Sequence, residues 1–257
     1  GGGGRPPPLA HSSDQSAAGP APTNRAAAAS AGGTGGGLSA AEIDVLRRTS
    51  RINGRLFLPW MQGEEASERF HYSSPWEDPE GLLPLASKQR ANFGSWRRPS
   101  DFVQGGEPVM ISCVSPFCIA QDLVGDCSFV ASLIIAAAFE RRFQGRQRLI
   151  TGIIWPQNPR TGAPVYNPSG KYVVKLWANG CPRRVVVDDR LPCCKQRGAL
   201  MTCYSNNRKE LWVSIVEKAY MKLNGGGKGS AKASMKVTHH TKKNGHNPAA
   251  PFCPPPH

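Results

Sequence analysis

No stretch of this chain stays apolar for the roughly 18 to 20 residues that a membrane-spanning helix needs. The longest, "FVASLIIAAAF" at 129–139, runs into Glu140, Arg141 and Arg142, which suits a buried helix. No initiator Met and no charged-then-apolar leader opens the sequence, so nothing in it reads as a secretion signal, and the expected location is intracellular, in the cytoplasm. Cys-x-x-Cys is missing as well. The eight cysteines, at 113, 118, 127, 181, 193, 194, 203 and 253, are irregularly spaced, which argues against a disulfide scaffold. Adjacent Cys193 and Cys194 are poorly placed for a tetrahedral zinc site. Free thiols and no structural metal are expected.

Acid is scarce: 18 Asp and Glu stand against 32 Lys and Arg, a net charge of +14. On one surface, such a charge would suggest nucleic acid or an anionic membrane. Its distribution argues otherwise. Residues 1–37 hold Arg5 and Arg25 against Asp14, and five lysines with no acid follow Asn224. Between them basic and acidic residues alternate without an aromatic-basic stripe, so no nucleic-acid partner is expected. Large aliphatics are nearly missing from residues 1–37, which hold only Leu9, and this segment reads as a disordered Gly/Ala/Pro-rich leader. Residues 227–257 read as a basic tail, which leaves residues 38–226 to fold.

Within that part, Ser39 and Glu42 form a capping box ahead of a short helix that Asn53-Gly54 ends. From Phe57 to Glu107, Pro, Gly and Trp recur without a period, which predicts a long irregular segment pinned by Trp60, Trp76 and Trp96. A second helix is predicted from Asp126 or Cys127 to about Phe143, with Gly125 and Asp126 as loop and cap. "KYVVKLWANGCPRRVVVDD" carries a hairpin signal, two β-branched runs around Asn179-Gly180. "SNNRKELWVSIVEKAYMKLNGG" predicts a last helix, capped by Ser205, Asn206 or Asn207 and stopped by Gly225. The fold class is α+β.

Cys127 is then placed at a helix N-terminus, where partial positive charge and free N–H groups favour a thiolate. The amide of Gln121, six residues upstream, together with a first-turn N–H, would make an oxyanion hole for acyl transfer. Cysteine is also among the most often buried residue types, so the local pattern alone leaves both a packed thiol and a nucleophile open. Asp188 and Asp189 read as turn caps rather than an acid/base pair, and Trp212 and Tyr220 as core.

"QDLVGDCSFVAS", "VVVDDRLP" at 185–192 and "ELWVSIVEKAYMKLNGG" at 210–226 resemble, in order, the signature stretches of the calpain protease core. The Asp-Cys-Ser-Phe form at 126–129, with "AEIDVLRRTSRINGRLFLPWM" and "LITGIIWPQNP", is similar to the PalB-type branch. The resemblance implies a papain-like fold, here the cysteine-bearing lobe with helices and a small antiparallel hairpin. It also implies an intracellular cysteine endopeptidase of protein substrates, with Cys127 as nucleophile and Gln121 in the oxyanion hole.

Two departures accompany it. Papain-like enzymes place His and Asn roughly 130 to 150 residues after the cysteine, at or past the end of these residues; neither His71 upstream nor His239, His240 and His246 in the tail is expected to serve as base. The catalytic His and Asn are thus read as absent from this chain and its activity as impaired, the alternative being a regulator that associates with full-length calpain. The family resemblance also implies calcium. Gly198-Ala199-Leu200 has alanine where conventional members carry a glutamate ligand, which argues against calcium at that loop.

Overall fold

The computed structural model describes residues 39–225, apart from 62, 64–66, 122–126, 145 and 197. The expected leader and tail, and Gly125 and Asp126 as a cap, lie outside the described residues.

Helix α1 (Ala40–Ser50) begins where the capping box predicts: Glu42 N–H donates to Ser39 Oγ, and Ser39 N–H donates to the Glu42 carboxylate. Asn53 and Gly54, at φ 51° and 79°, then turn the chain into the ribbon β1 (Arg51–Ile52) and β2 (Arg55–Leu56). Residues 57–107 are less irregular than their composition predicts. They hold short helices α2 (Ser87–Asn92) and α3 (Pro99–Phe102) around β3 (Phe93–Arg97). Strand β3 is supported by pairing with a segment about a hundred residues later, which no local pattern announces.

A 3-10 turn, Pro116–Cys118, leads into β4 (Ile119–Ala120) and helix α4 (Cys127–Arg142). The main sheet follows. Strand β6 (Lys171–Ala178) lies between β5 (Ile154–Trp155) and β7 (Cys181–Asp188), all antiparallel. The β6–β7 hairpin turns at Asn179-Gly180, as predicted, with φ of 50° and 76°, the left-handed pair that a tight hairpin turn requires. Strand β8 (Leu191–Cys194) pairs with β3, and β9 (Tyr204–Ser205) with β4.

Helix α5 (Trp212–Leu223) closes the fold. Its cap corrects the sequence reading: Ser205, Asn206 and Asn207 precede it by several residues, and Leu211 adjoins it without a side-chain cap. Tertiary structure supplies the acceptors. Leu211 N–H donates to Val109 O at 3.1 Å and Trp212 N–H to Met110 O at 3.1 Å, while Ser205 Oγ donates to Glu210 at 2.5 Å. At the other end, Asn53 Nδ2 donates to Leu223 O at 3.0 Å, and Gly225 adopts the left-handed φ of 86° of a helix stop.

The core lies between the inner face of the sheet and the two long helices. Tyr172, Val174, Val185 and Val187 meet Phe129, Leu133 and Ala137 of α4 and Trp212, Ile215, Val216 and Ala219 of α5. Each such aliphatic contributes about 1.5 to 3 kcal/mol by leaving water.

Asp188 and Asp189 are more than turn caps. Asp188 accepts from Arg190 N–H, as a cap would, yet both carboxylates are 1% exposed. Lys218 and Arg190 pair with Asp188, Arg98 with Asp189, and Lys222 with Asp78. Burial alone would raise Asp188; the Lys218 ammonium overrides it and holds the carboxyl below its usual range. Burial, with Asp188 alongside, pushes Asp189 up to about 6 against the pull of Arg98. Gly170, at φ 79°, makes room for this pair: a Cβ there would meet Arg98 Nη1 and Asp189 Oδ1, each at 2.5 Å.

Candidate active site

Cys127 is the first residue of α4 and is exposed. Its neighbours turn inward: Phe129, Val130, Leu133 and Ala137 are buried on one stripe of the helix, and the Phe129 ring stacks on Tyr220 of α5 at 4.4 Å and 22°. The far end of α4 is fixed by Glu140, whose buried carboxylate accepts from the backbone N–H of Ile150 at 2.6 Å and of Thr151 at 3.2 Å. A helix held at both ends gives its first residue a defined position, and its first-turn N–H groups have no partner within the helix.

Gln121 is half-buried and directly follows β4, whose Ala120 pairs with Tyr204. The strand therefore delivers Gln121 and the helix begins with Cys127, and the step between them crosses 122–126, outside the described residues. The wall beside β4 is tied down: Asn206 N–H donates to Cys118 O at 2.7 Å and Asn206 Nδ2 to Phe117 O at 3.0 Å.

Beneath the wall is a pair that the sequence reading missed. Cys203, fully buried, donates from Sγ to Glu217 Oε1 at 3.0 Å and from its N–H to Oε2 at 2.7 Å. Burial, then the Glu217 carboxylate, push this thiol up, and neighbouring Cys127 adds to the rise. The signal was faint: Glu217 and Lys218 sit mid-helix in α5 where apolar residues leave no polar face, so both had to find partners inside. No disulfide joins the seven described cysteines, and of these Cys127 alone begins a long helix.

His71, the one histidine among the described residues, is exposed in the irregular stretch before Tyr72. Residues 198–200 bring no carboxylate, and the described residues hold no group of three or more His, Cys, Asp or Glu side chains that could bind a metal ion. Calcium has no fitting donor set there, and no step below depends on it.

The family model for calpain family cysteine protease matches residues 77–239. The chain belongs to the calpain family of cysteine proteases. Human Calpain-7 is 54% identical over 188 residues, 73% of this chain and 22% of Calpain-7. The calpain-like protease palB/cpr-8 of Neurospora crassa is 32% identical over 197 residues, 74% of this chain and 21% of that protein. The calpain-like protease palB/RIM13 of Aspergillus oryzae is 34% identical over 198 residues, with shares of 74% and 22%. The chain thus spans about a fifth of the length of these relatives, and its α+β architecture is that of a calpain protease core.

Proposed function

We propose that Cys127 is the nucleophile of an intracellular, cytoplasmic cysteine endopeptidase acting on protein substrates, and that Gln121 donates to the oxyanion. The observation that carries this reading is the exposed thiol at the head of α4 in a calpain-family chain. The thiolate attacks a peptide carbonyl carbon, the C=O electron pair moves to oxygen, and the Gln121 amide with a first-turn N–H stabilises that charge. Collapse breaks the C–N bond and expels the amine, which takes its proton from solvent, and water then hydrolyses the thioester to release the acyl group from sulfur. The expectation that neither His71 nor the histidines of the tail serves as base makes hydrolysis by this chain slow in this reading.

Reaction of the chain with iodoacetamide across a range of pH tests the nucleophile. Cys127 should be alkylated first, as read by mass spectrometry of the digested protein. Uniform alkylation of Cys113, Cys127 and Cys181 would sink the reading. Rapid turnover of a peptide substrate, lost in Cys127→Ala, would sink the expectation of slow hydrolysis.

A second reading, a chain that binds and regulates full-length calpain, is favoured by one feature: a bare apolar stripe on α4, Ile135 at 68% and Phe139 at 40% exposure, continued by Phe143. Loss of co-sedimentation with full-length calpain in Ile135→Glu would support it. Absence of any association at micromolar concentration would end it.

A further inference from the structure

The fold assembles an aromatic and cationic face that the linear sequence does not show. Leu58 O accepts from Arg184 N–H at 3.1 Å and Trp60 N–H donates to Pro182 O at 2.8 Å, so residues 58–60 run as an outer strand along β7. Trp177 pairs with Pro182 and Lys175 with Arg184. Two rows therefore cross the outer side of the sheet, one of Trp177, Pro182 and Trp60, the other of Lys175, Arg184 and Leu58. Trp155 joins from β5: its ring lies 4.3 Å from that of Trp60, and Lys175 Nζ sits 5.4 Å and 5.9 Å from the two centroids.

This face is exposed to an unusual degree. Trp177 is 73% exposed, Leu56 53% and Leu58 49%, whereas Phe57 between the two leucines is in the core. An apolar patch of this kind marks a contact surface, and its charges say for what. Arg51, the cross-strand partner of Leu56, and Lys175 have no carboxylate partner among the described residues. The acids described nearby are engaged, Glu68 by Lys171 and Arg184 and Asp44 by Arg48. Trp60 and Trp155 lie against each other, which withdraws their rings from stacking on a nucleobase. Tryptophan and leucine beside cations that no described carboxylate pairs suit the boundary between lipid headgroups and acyl chains.

We propose that this outer sheet face docks on an anionic lipid bilayer, with Trp177 and Leu58 entering the headgroup layer and Lys175 and Arg51 meeting its negative charge. Full-length chain is sedimented with vesicles of phosphatidylcholine, with and without phosphatidylserine. Binding should require phosphatidylserine, and Trp177→Ser with Leu58→Ser should weaken it about tenfold or more. Lys175→Gln should weaken it about fivefold. Both apolar side chains are exposed, so the double variant should melt as the parent does. The lysines after Asn224 could bind such vesicles by themselves, and binding unchanged in the double variant would assign it to them and overturn the proposal. No binding at all would overturn it equally. Self-association in sedimentation velocity that the double variant abolishes would give the face to a second copy instead.

Discussion

Helices α4 and α5 share one core and are sheathed very differently. Ten of the twelve residues of α5 are buried, against five of the sixteen of α4. Helix α5 is covered on nearly every side, so Glu217 had to be hydrogen-bonded within the protein, by Cys203, and Lys218 and Lys222 had to be neutralised, by Asp188 and Asp78. Helix α4 buries one stripe, fixes its far end through Glu140 and leaves Cys127 and the Ile135 face in water. Rigidity is concentrated in one helix and chemical access in the other, and the two meet where Phe129 stacks on Tyr220.

The sharpest way to break this contrast is Lys218→Met. It leaves Asp188 and its carboxylate neighbour Asp189 in the interior without their ammonium, and removing one partner of a buried pair costs about 3 to 5 kcal/mol. Urea unfolding should show a loss of that order; less than about 1 kcal/mol would mean that Arg190 alone carries Asp188. Next in size is Glu140→Ala, which orphans the Ile150 N–H in a site that is 1% exposed and should cost about 1 to 3 kcal/mol. An unchanged midpoint would show that α4 is not anchored through this carboxylate.

The pH dependence of Asp189 comes third. Its folded carboxyl, raised to about 6, keeps a proton where the unfolded chain has lost its own near 3.8. Stability from this group therefore falls as pH rises across that window, by up to about 1.4 kcal/mol per unit. Asp188 works in the opposite sense and lower, since its depressed carboxyl contributes stability that disappears as pH falls below the ordinary value. Asp189→Asn should flatten the slope between pH 4 and 6, about where the two values above fall, and a slope that survives belongs to another group. The smallest effect is expected for Ile135→Ser, within about 0.5 kcal/mol. A larger loss would mean that the bare stripe of α4 is covered in solution.

The parts of the fold that announce themselves in sequence are those whose determinants are local. The Ser39–Glu42 box, the apolar period of 129–137 and the Asn179-Gly180 turn each specify their element within a few residues, and each appears where it was read. Strand β3, the first turn of α5 and the roles of Asp188 and Asp189 depend on partners from about thirty to a hundred residues away, where no period or motif carries the information. The candidate site divides likewise. Cys127 and Gln121 stand out from a six-residue spacing and a family resemblance, whereas Cys203 meets Glu217 only because β9 and α5 fold together. The Trp60, Trp155 and Trp177 face is the extreme case, since three segments each contribute one ring.

The hydrogen bond from Asn53 to Leu223 spans 170 residues. It joins the first ribbon of the fold to the last turn of its last helix. On a ribosome that synthesises from the N-terminus at about 5 to 20 residues per second, Asn53 emerges roughly ten to thirty seconds before its acceptor. The sheet and α4 have time to collapse while the ribbon waits for α5. The contact between the ribbon and α5 therefore reports that the two ends of the described residues have come together.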